Sequence, residues 1–250
     1  MSRLIDKLNR VSQGAPQAMG FKAQPAPERP RILLIASLTD GSAKHVDGAD
    51  AGLLRVPVIS SGAKTIKELS QAVPDIPWGG WLSGIDRGKI KQLAGAGGDF
   101  VVFPASMPLA LLQNGELGKV LEVEPSLSES LVRTVNELPV DAVLMATGAG
   151  HPLTWHHLMT CQHLANLLAK PILVSMPPEV TAGELKALWE AGVGGVIIEV
   201  DSEPANRLRE LRRAIDKLAF TSPRRRGKAE ARLPQIDSAL GLNIEEEEEE

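Results

Sequence analysis

Apolar residues in this chain come in short runs rather than in one long block. Eight runs fall between residues 31 and 201, at 31–38, 52–58, 78–83, 100–104, 119–124, 141–147, 171–176 and 195–201. Each is four to eight residues of mainly branched or aromatic side chains, the length and make-up of a buried strand. Stretches with apolar residues at helical spacing lie between most of them: 63–73, 87–95, 106–113, 126–138, 154–169, 181–191 and 203–219. Strands that alternate with helices imply βα units and a parallel sheet. Eight units predict a closed (β/α)8 barrel, with chemistry at the carboxyl ends of the strands.

Local signals support the boundaries. Ser126 with Glu129, and Thr181 with Glu184, have the spacing of capping boxes at helix starts. Gly192 follows the 181–191 stretch where a left-handed helix end belongs. Leu4, Ile5, Leu8 and Val11 predict a short helix over residues 3–12, and the prolines among residues 13–30 predict an extended lead-in. The link GSAKHVDGADA between the first two runs has room for only about two helical turns. That predicts a compact, imperfect barrel over 31–219, with an open doubly wound sheet as the alternative. Residues 220–250 turn from the basic SPRRRGK to six glutamates, which predicts a disordered, solubilising tail.

Bulk properties narrow the function. The 250 residues carry a net charge of −4, with 43% hydrophobic and 23% charged residues, as in ordinary globular proteins. That charge predicts no nucleic-acid partner. Aromatic residues make up 3% with no Tyr, so base-stacking platforms and aromatic sugar sites are not expected. The lone cysteine, Cys161, precludes an internal disulfide and a cysteine zinc cluster. No 18-residue apolar run and no apolar leader is present, which predicts a cytoplasmic protein without a membrane partner.

Side chains of a strand alternate between faces, and in a barrel the outer face is covered by helices. A charge inside an apolar run therefore belongs on the lumen side, because an unpaired charge under a helix is costly. This rule directs Arg55 of the second run, Glu122 and Glu124 of the fifth, and Glu199 and Asp201 of the eighth inward. Ser37 shares parity with Leu33 and Ile35, and Thr39 and Asp40 follow it. Clustered carboxylates can split into an acid and a base, or hold Mg²⁺ through oxygen. Equally, Arg55 could neutralise the glutamates in a purely structural network.

The loop TGAGHPLTWHHL after the sixth run is a second candidate. Gly148 and Gly150 allow close backbone approach, Thr147 precedes them, and Thr154 can cap the next helix. His151 is a candidate proton shuttle at that rim, near His156 and His157. His157 and Cys161 are four apart, a weak metal spacing; a small buried hydrophobe is the better reading of Cys161, and no metal centre is expected. Trp78 and Trp81 bracket two glycines and could wall a pocket, although core packing suits them better.

The segments GADAGLLRV (48–56) and LWEAGVGGVIIEV (188–200) resemble phrases of the phosphate-binding (β/α)8 barrels, the group of indole-glycerol-phosphate synthase and thiamine-phosphate synthase. The resemblance covers about 190 residues at the level of pattern and implies the fold. It also implies a phosphate grip after the seventh and eighth strands, from which this chain departs. Met176 is followed by Pro177 and Pro178, which lack amide hydrogens, and Glu199, Asp201 and Glu203 would repel phosphate. Lys119 and Lys170 fall at the amino ends of their runs, which disfavours Schiff-base chemistry.

The expected function is that of a small-molecule lyase or isomerase. Glu122 or Glu124 is the general base, Glu199 the partner acid and His151 a rim group. Arg55, Ser37, Asp40, Thr147, Gly148, Gly150 and Asp201 bind the substrate. A non-catalytic barrel acting as scaffold or binding module is one alternative, and a flavin-dependent oxidoreductase another. The residues name no cofactor, and they leave a homo-oligomer open.

Overall fold

The structure is a computed structural model. It describes residues 2–12, 32–39, 45–56, 59–82, 87–109, 117–146, 152–200 and 206–218. Eight parallel strands form a closed barrel in chain order: β1 (Leu33–Leu38), β2 (Ala51–Val56), β3 (Trp78–Leu82), β4 (Phe100–Pro104), β5 (Gly118–Val123), β6 (Ala142–Met145), β7 (Ile172–Met176) and β8 (Gly195–Glu199). The pairing of β1 with β8, from Leu33 opposite Gly195 to Ser37 opposite Glu199, closes the ring and overturns the open-sheet alternative. The helices are α1 (Arg3–Ser12), α2 (Ile59–Ala72), α3 (Arg87–Gly95), α4 (Glu129–Thr134), α5 (Trp155–Leu167), α6 (Ala182–Glu190) and α7 (Arg207–Asp216). A 3-10 turn at Val135–Glu137 extends α4.

Among the described residues no helix follows β1 or β4. After β4, the Met107 N–H donates to the Pro104 carbonyl at 3.0 Å to make a turn, and the rest of the helix expected at 106–113 lies outside the described residues. So do the extended lead-in over 13–30 and the charged tail.

Alternation sorts the strand residues into two cores. Leu34, Trp78, Val101, Val143, Val174 and Ile198 face outward under the helices. Leu33, Leu53, Phe100, Val120, Leu144 and Ile197 face the lumen. Leu4, Ile5 and Leu8 of α1 join this inner core, so the amphipathic helix closes the amino-terminal end of the barrel. Asp99, just before β4, holds the helix there: its carboxylate accepts from Ser2 Oγ at 2.7 Å and from the Arg3 and Leu4 amides at 2.7 and 3.0 Å. These amides have no partner inside the helix, and a carboxylate at a helix start also meets the positive end of its dipole.

The same end carries an ionic clasp. Asp50, ahead of β2, accepts from the Leu34 amide at 2.9 Å and pairs with Arg212 of α7, while Lys7 Nζ of α1 donates to the Asp50 carbonyl at 2.9 Å. Burial raises the Asp50 carboxyl above its ordinary value against the pull of Arg212, and burial lowers Lys7.

Lumen volume is matched across neighbouring strands by pairing large residues with glycine. Gly79 sits opposite Phe100 in the ladder, and a Cβ at Gly79 would come within 2.5 Å of the Phe100 ring. Gly52 sits opposite Trp78 on the outer face, where a Cβ would come within 2.3 Å of the indole. The two tryptophans of β3 are thus on opposite faces: Trp78 is buried under helices, and Trp81 packs on the lumen core. They cannot wall a single pocket, because positions three apart on a strand point to opposite sides.

Two outcomes are expected. Gly79→Ala destabilises the barrel by about 1–3 kcal/mol through overpacking; adding Phe100→Leu recovers part of that loss, as read by chemical denaturation of the single and double variants. Because the folded state raises the Asp50 carboxyl, its ionisation costs the folded protein more than the unfolded chain. Its contribution is greatest below the ordinary value of 3.8, falls as pH rises from there through the folded value, and is flat above. The stability difference between the parent and Asp50→Asn declines over that window; a difference that climbs with pH would contradict it.

Candidate functional site

The lumen parity that places Leu53, Val120 and Ile197 inside carries their neighbours two residues on to the carboxyl-terminal rim. Those neighbours are Arg55, Glu122 and Glu199. Ser37 takes the corresponding place two residues after Ile35, opposite Glu199 in the ladder. Below them the lumen is apolar, so their polar heads are held at the mouth.

The rim is one connected chain of contacts. Arg55 Nε donates to Ser37 Oγ at 3.2 Å, and Arg55 Nη1 lies 3.7 Å from Glu199 Oε2. The guanidinium sits 4.3 Å from the centroid of the Trp81 ring, within cation–π range. Trp81 Nε1–H in turn donates to Glu122 Oε2 at 3.1 Å. Arg55 and Glu199 side chains are 31% and 44% exposed. Such an ion pair contributes at most about 1 kcal/mol, so it does not hold the barrel together. Among the described residues it brings two carboxylates and one guanidinium to the mouth.

Glu124 stands apart. It lies one residue beyond β5, is exposed, and accepts from Ser126 Oγ at 3.4 Å. The rim therefore uses Glu122 of the two. This contact also replaces the capping box expected of Ser126 with Glu129: α4 begins at Glu129 with Ser128 as its N-cap, without a side-chain cap bond. Asp40, Thr147, Gly148, Gly150, His151 and Asp201 lie outside the described residues. Trp81 ties the rim together on its own, not as one wall of a pocket shared with Trp78; the odd spacing of the two is the signal that they cannot share a role.

The helices after β6 and β7 begin with side-chain caps. Thr154 Oγ1 accepts from the His157 amide at 3.3 Å, and His157 Nδ1 accepts from the Thr154 amide at 3.2 Å, a reciprocal box that starts α5. His157 is thereby committed to a backbone amide rather than aimed at Cys161. Cys161 is fully buried, and burial pushes its thiol up to about 12. Among the described residues no group of three or more His, Cys, Asp or Glu side chains is placed to hold a metal ion. Thr181 and Glu184 make the predicted box at α6, and Gly192 beyond it has φ of 92°. After β7, Arg207 of α7 binds the Pro178 and Val180 carbonyls at 2.9 and 3.0 Å. That loop meets a cation with carbonyl oxygens, the opposite of an amide cradle for phosphate.

No protein-family model and no curated protein sequence matches the chain. Solved structures match in fold. The tryptophan synthase alpha-subunit of Pyrococcus furiosus superposes with a TM-score of 0.60 at 11% identity, covering 74% of this chain and 97% of that one. Tryptophan synthase of M. tuberculosis gives 0.58 at 16% identity, covering 75% and 92%. A protein of Aquifex aeolicus VF5 gives 0.61 at 13% identity, covering 86% and 98%. The fold is thus that of tryptophan synthase alpha-like (β/α)8 barrels. Identities this low carry the fold and leave the chemistry to the side chains. Among the described residues no helix is long and apolar enough to cross a membrane.

The buried thiol has a direct test. With its proton held to about 12, roughly one Cys161 in ten thousand is thiolate at pH 8. The folded protein is expected to resist Ellman's reagent at that pH and to release one equivalent of chromophore once denatured. Rapid labelling of the native protein would contradict the burial.

Proposed function

We propose that this barrel acts on a small polar molecule by acid–base chemistry, as a lyase or isomerase. Glu122 is the general base and Glu199 the partner acid. Arg55, steadied by Ser37, binds or polarises an anionic group of the substrate. His151, Asp40, Thr147, Gly148, Gly150 and Asp201 belong to the same proposed rim by their place in the sequence. The observation that carries this reading is the half-exposed chain Glu199–Arg55–Trp81–Glu122 at the mouth of an otherwise apolar lumen. These groups meet solvent, and among the described residues Glu122 has no cation paired with it, the condition for a base.

The binding-module reading draws on the contacts of one residue. Arg55 is already engaged by Glu199, Ser37 and Trp81, as a structural guanidinium would be. In the catalytic reading that engagement is weak and a substrate anion displaces Glu199 from it.

Native mass spectrometry of the purified full chain identifies any retained small molecule, which then serves as the assay substrate or product. Glu122→Gln is expected to lower turnover by roughly 10²-fold or more, the usual worth of a positioned base, with little change in melting temperature. Arg55→Gln is expected mainly to weaken binding. Turnover unchanged in Glu122→Gln would remove the base assignment. Retention of a molecule that no variant converts would favour the binding module.

A further inference from the structure

The indole of Trp81 touches two opposite charges at once. Its face carries the Arg55 guanidinium at 4.3 Å, and its edge donates Nε1–H to Glu122 Oε2 at 3.1 Å. A guanidinium and a carboxylate in the same barrel mouth ordinarily close into a bidentate pair, because their planar geometries match. Arg55 does not take Glu122 in that way. It reaches Glu199 through a single nitrogen at 3.7 Å and gives its Nε to Ser37.

The strand register explains the separation. Arg55 on β2 is opposite Trp81 on β3, whereas Glu122 on β5 is opposite Pro104 on β4. The lumen-facing side chains at this level on the two intervening strands are Trp81, Val102 and Pro104. Only Trp81 is both wide enough to fill the gap and able to address both charges. Its ring rewards a flat guanidinium on one face, and its single N–H donor is used by the carboxylate at its edge.

We propose that Trp81 is a positioning residue that keeps Arg55 off Glu122. The ring acts as a spacer, and the N–H aims the carboxylate. One site then holds a base that is not neutralised and, separately, a positive pole for the substrate. The proposal rests on reading Glu122 as the base, and its test needs no turnover. Without the ring, Arg55 gains most by closing on Glu122, and the base is quenched as a salt bridge.

The test reads the Arg55 Nε–H cross-peak in ¹⁵N–¹H spectra of the full chain, assigned by its loss in R55K. In the parent, E199Q is expected to move this peak and E122Q to leave it in place. E122Q is expected instead to move the Trp81 indole N–H peak, while those of Trp78, Trp155 and Trp189 stay. In Trp81→Val, which removes the ring, the Arg55 peak is expected to respond to E122Q. In Trp81→Phe, which keeps a ring without the N–H, it is expected to be indifferent to E122Q again. An Arg55 peak that already moves with E122Q in the parent would overturn the proposal. So would a peak that ignores E122Q in Trp81→Val, since Trp81 would then be mere filling. If Trp81→Val fails to fold, Trp81→Phe decides: an Arg55 response to E122Q there overturns the spacer role. Unchanged turnover in E122Q, with the Arg55 peaks as expected, would remove the catalytic reading and leave the spacing standing.

Discussion

Five ladder positions between β1 and β8, ending with Ser37 opposite Glu199, turn a parallel sheet into a ring. Before that seam closes, the two faces of the sheet are equivalent in principle. After it, one face is a lumen and the other a bed for helices. The seam needs a small residue where the strands crowd: a Cβ at Gly195 would lie 2.8 Å from Leu173 and 3.3 Å from Leu33. Glycine thus faces a larger neighbour at this crowded point, as Gly79 does against Phe100. A close-packed interior takes an extra methyl group at such points only by shifting neighbours, which costs stability.

Once the ring is closed, its two ends become chemically different. At the amino-terminal end α1 inserts Leu4 and Leu8 into the lumen, and Asp99, Asp50 and Arg212 hold the chain around it. These polar groups are spent on backbone amides and on one another. At the other end Arg55, Glu122 and Glu199 are linked loosely and meet water. Strong, satisfied contacts at one end and weak, exchangeable ones at the other divide the work: stability below and ligand contact, as proposed, above.

The loops after β6 and β7 sharpen this division. Both helices that follow are closed by reciprocal boxes, His157 with Thr154 and Glu184 with Thr181. The β7 loop spends its carbonyls on Arg207. A phosphate grip made from free amides does not suit this loop, and the acidic β8 rim points the same way. This is a barrel of tryptophan synthase alpha-like shape whose described β7 loop turns carbonyls, not amides, toward Arg207.

Much of this was legible in the residues. Alternation and spacing predict all eight strands, the α1 helix, the Thr181 box, the Gly192 turn and the inward direction of Arg55, Glu122 and Glu199, because each follows from a local periodicity or from the cost of burying charge. The choice between glutamates was not legible: Glu122 and Glu124 have the same parity, and only the end of β5 at Val123 leaves Glu124 outside the ladder. Nor was the cap at α4, where Ser126 turns to Glu124 instead. The sequence by itself determined which residues could face the lumen. Only the closed tertiary structure decided which of them meet, since the contacts of Arg55 with Ser37, Trp81 and Glu199 span four strands whose register no local pattern encodes.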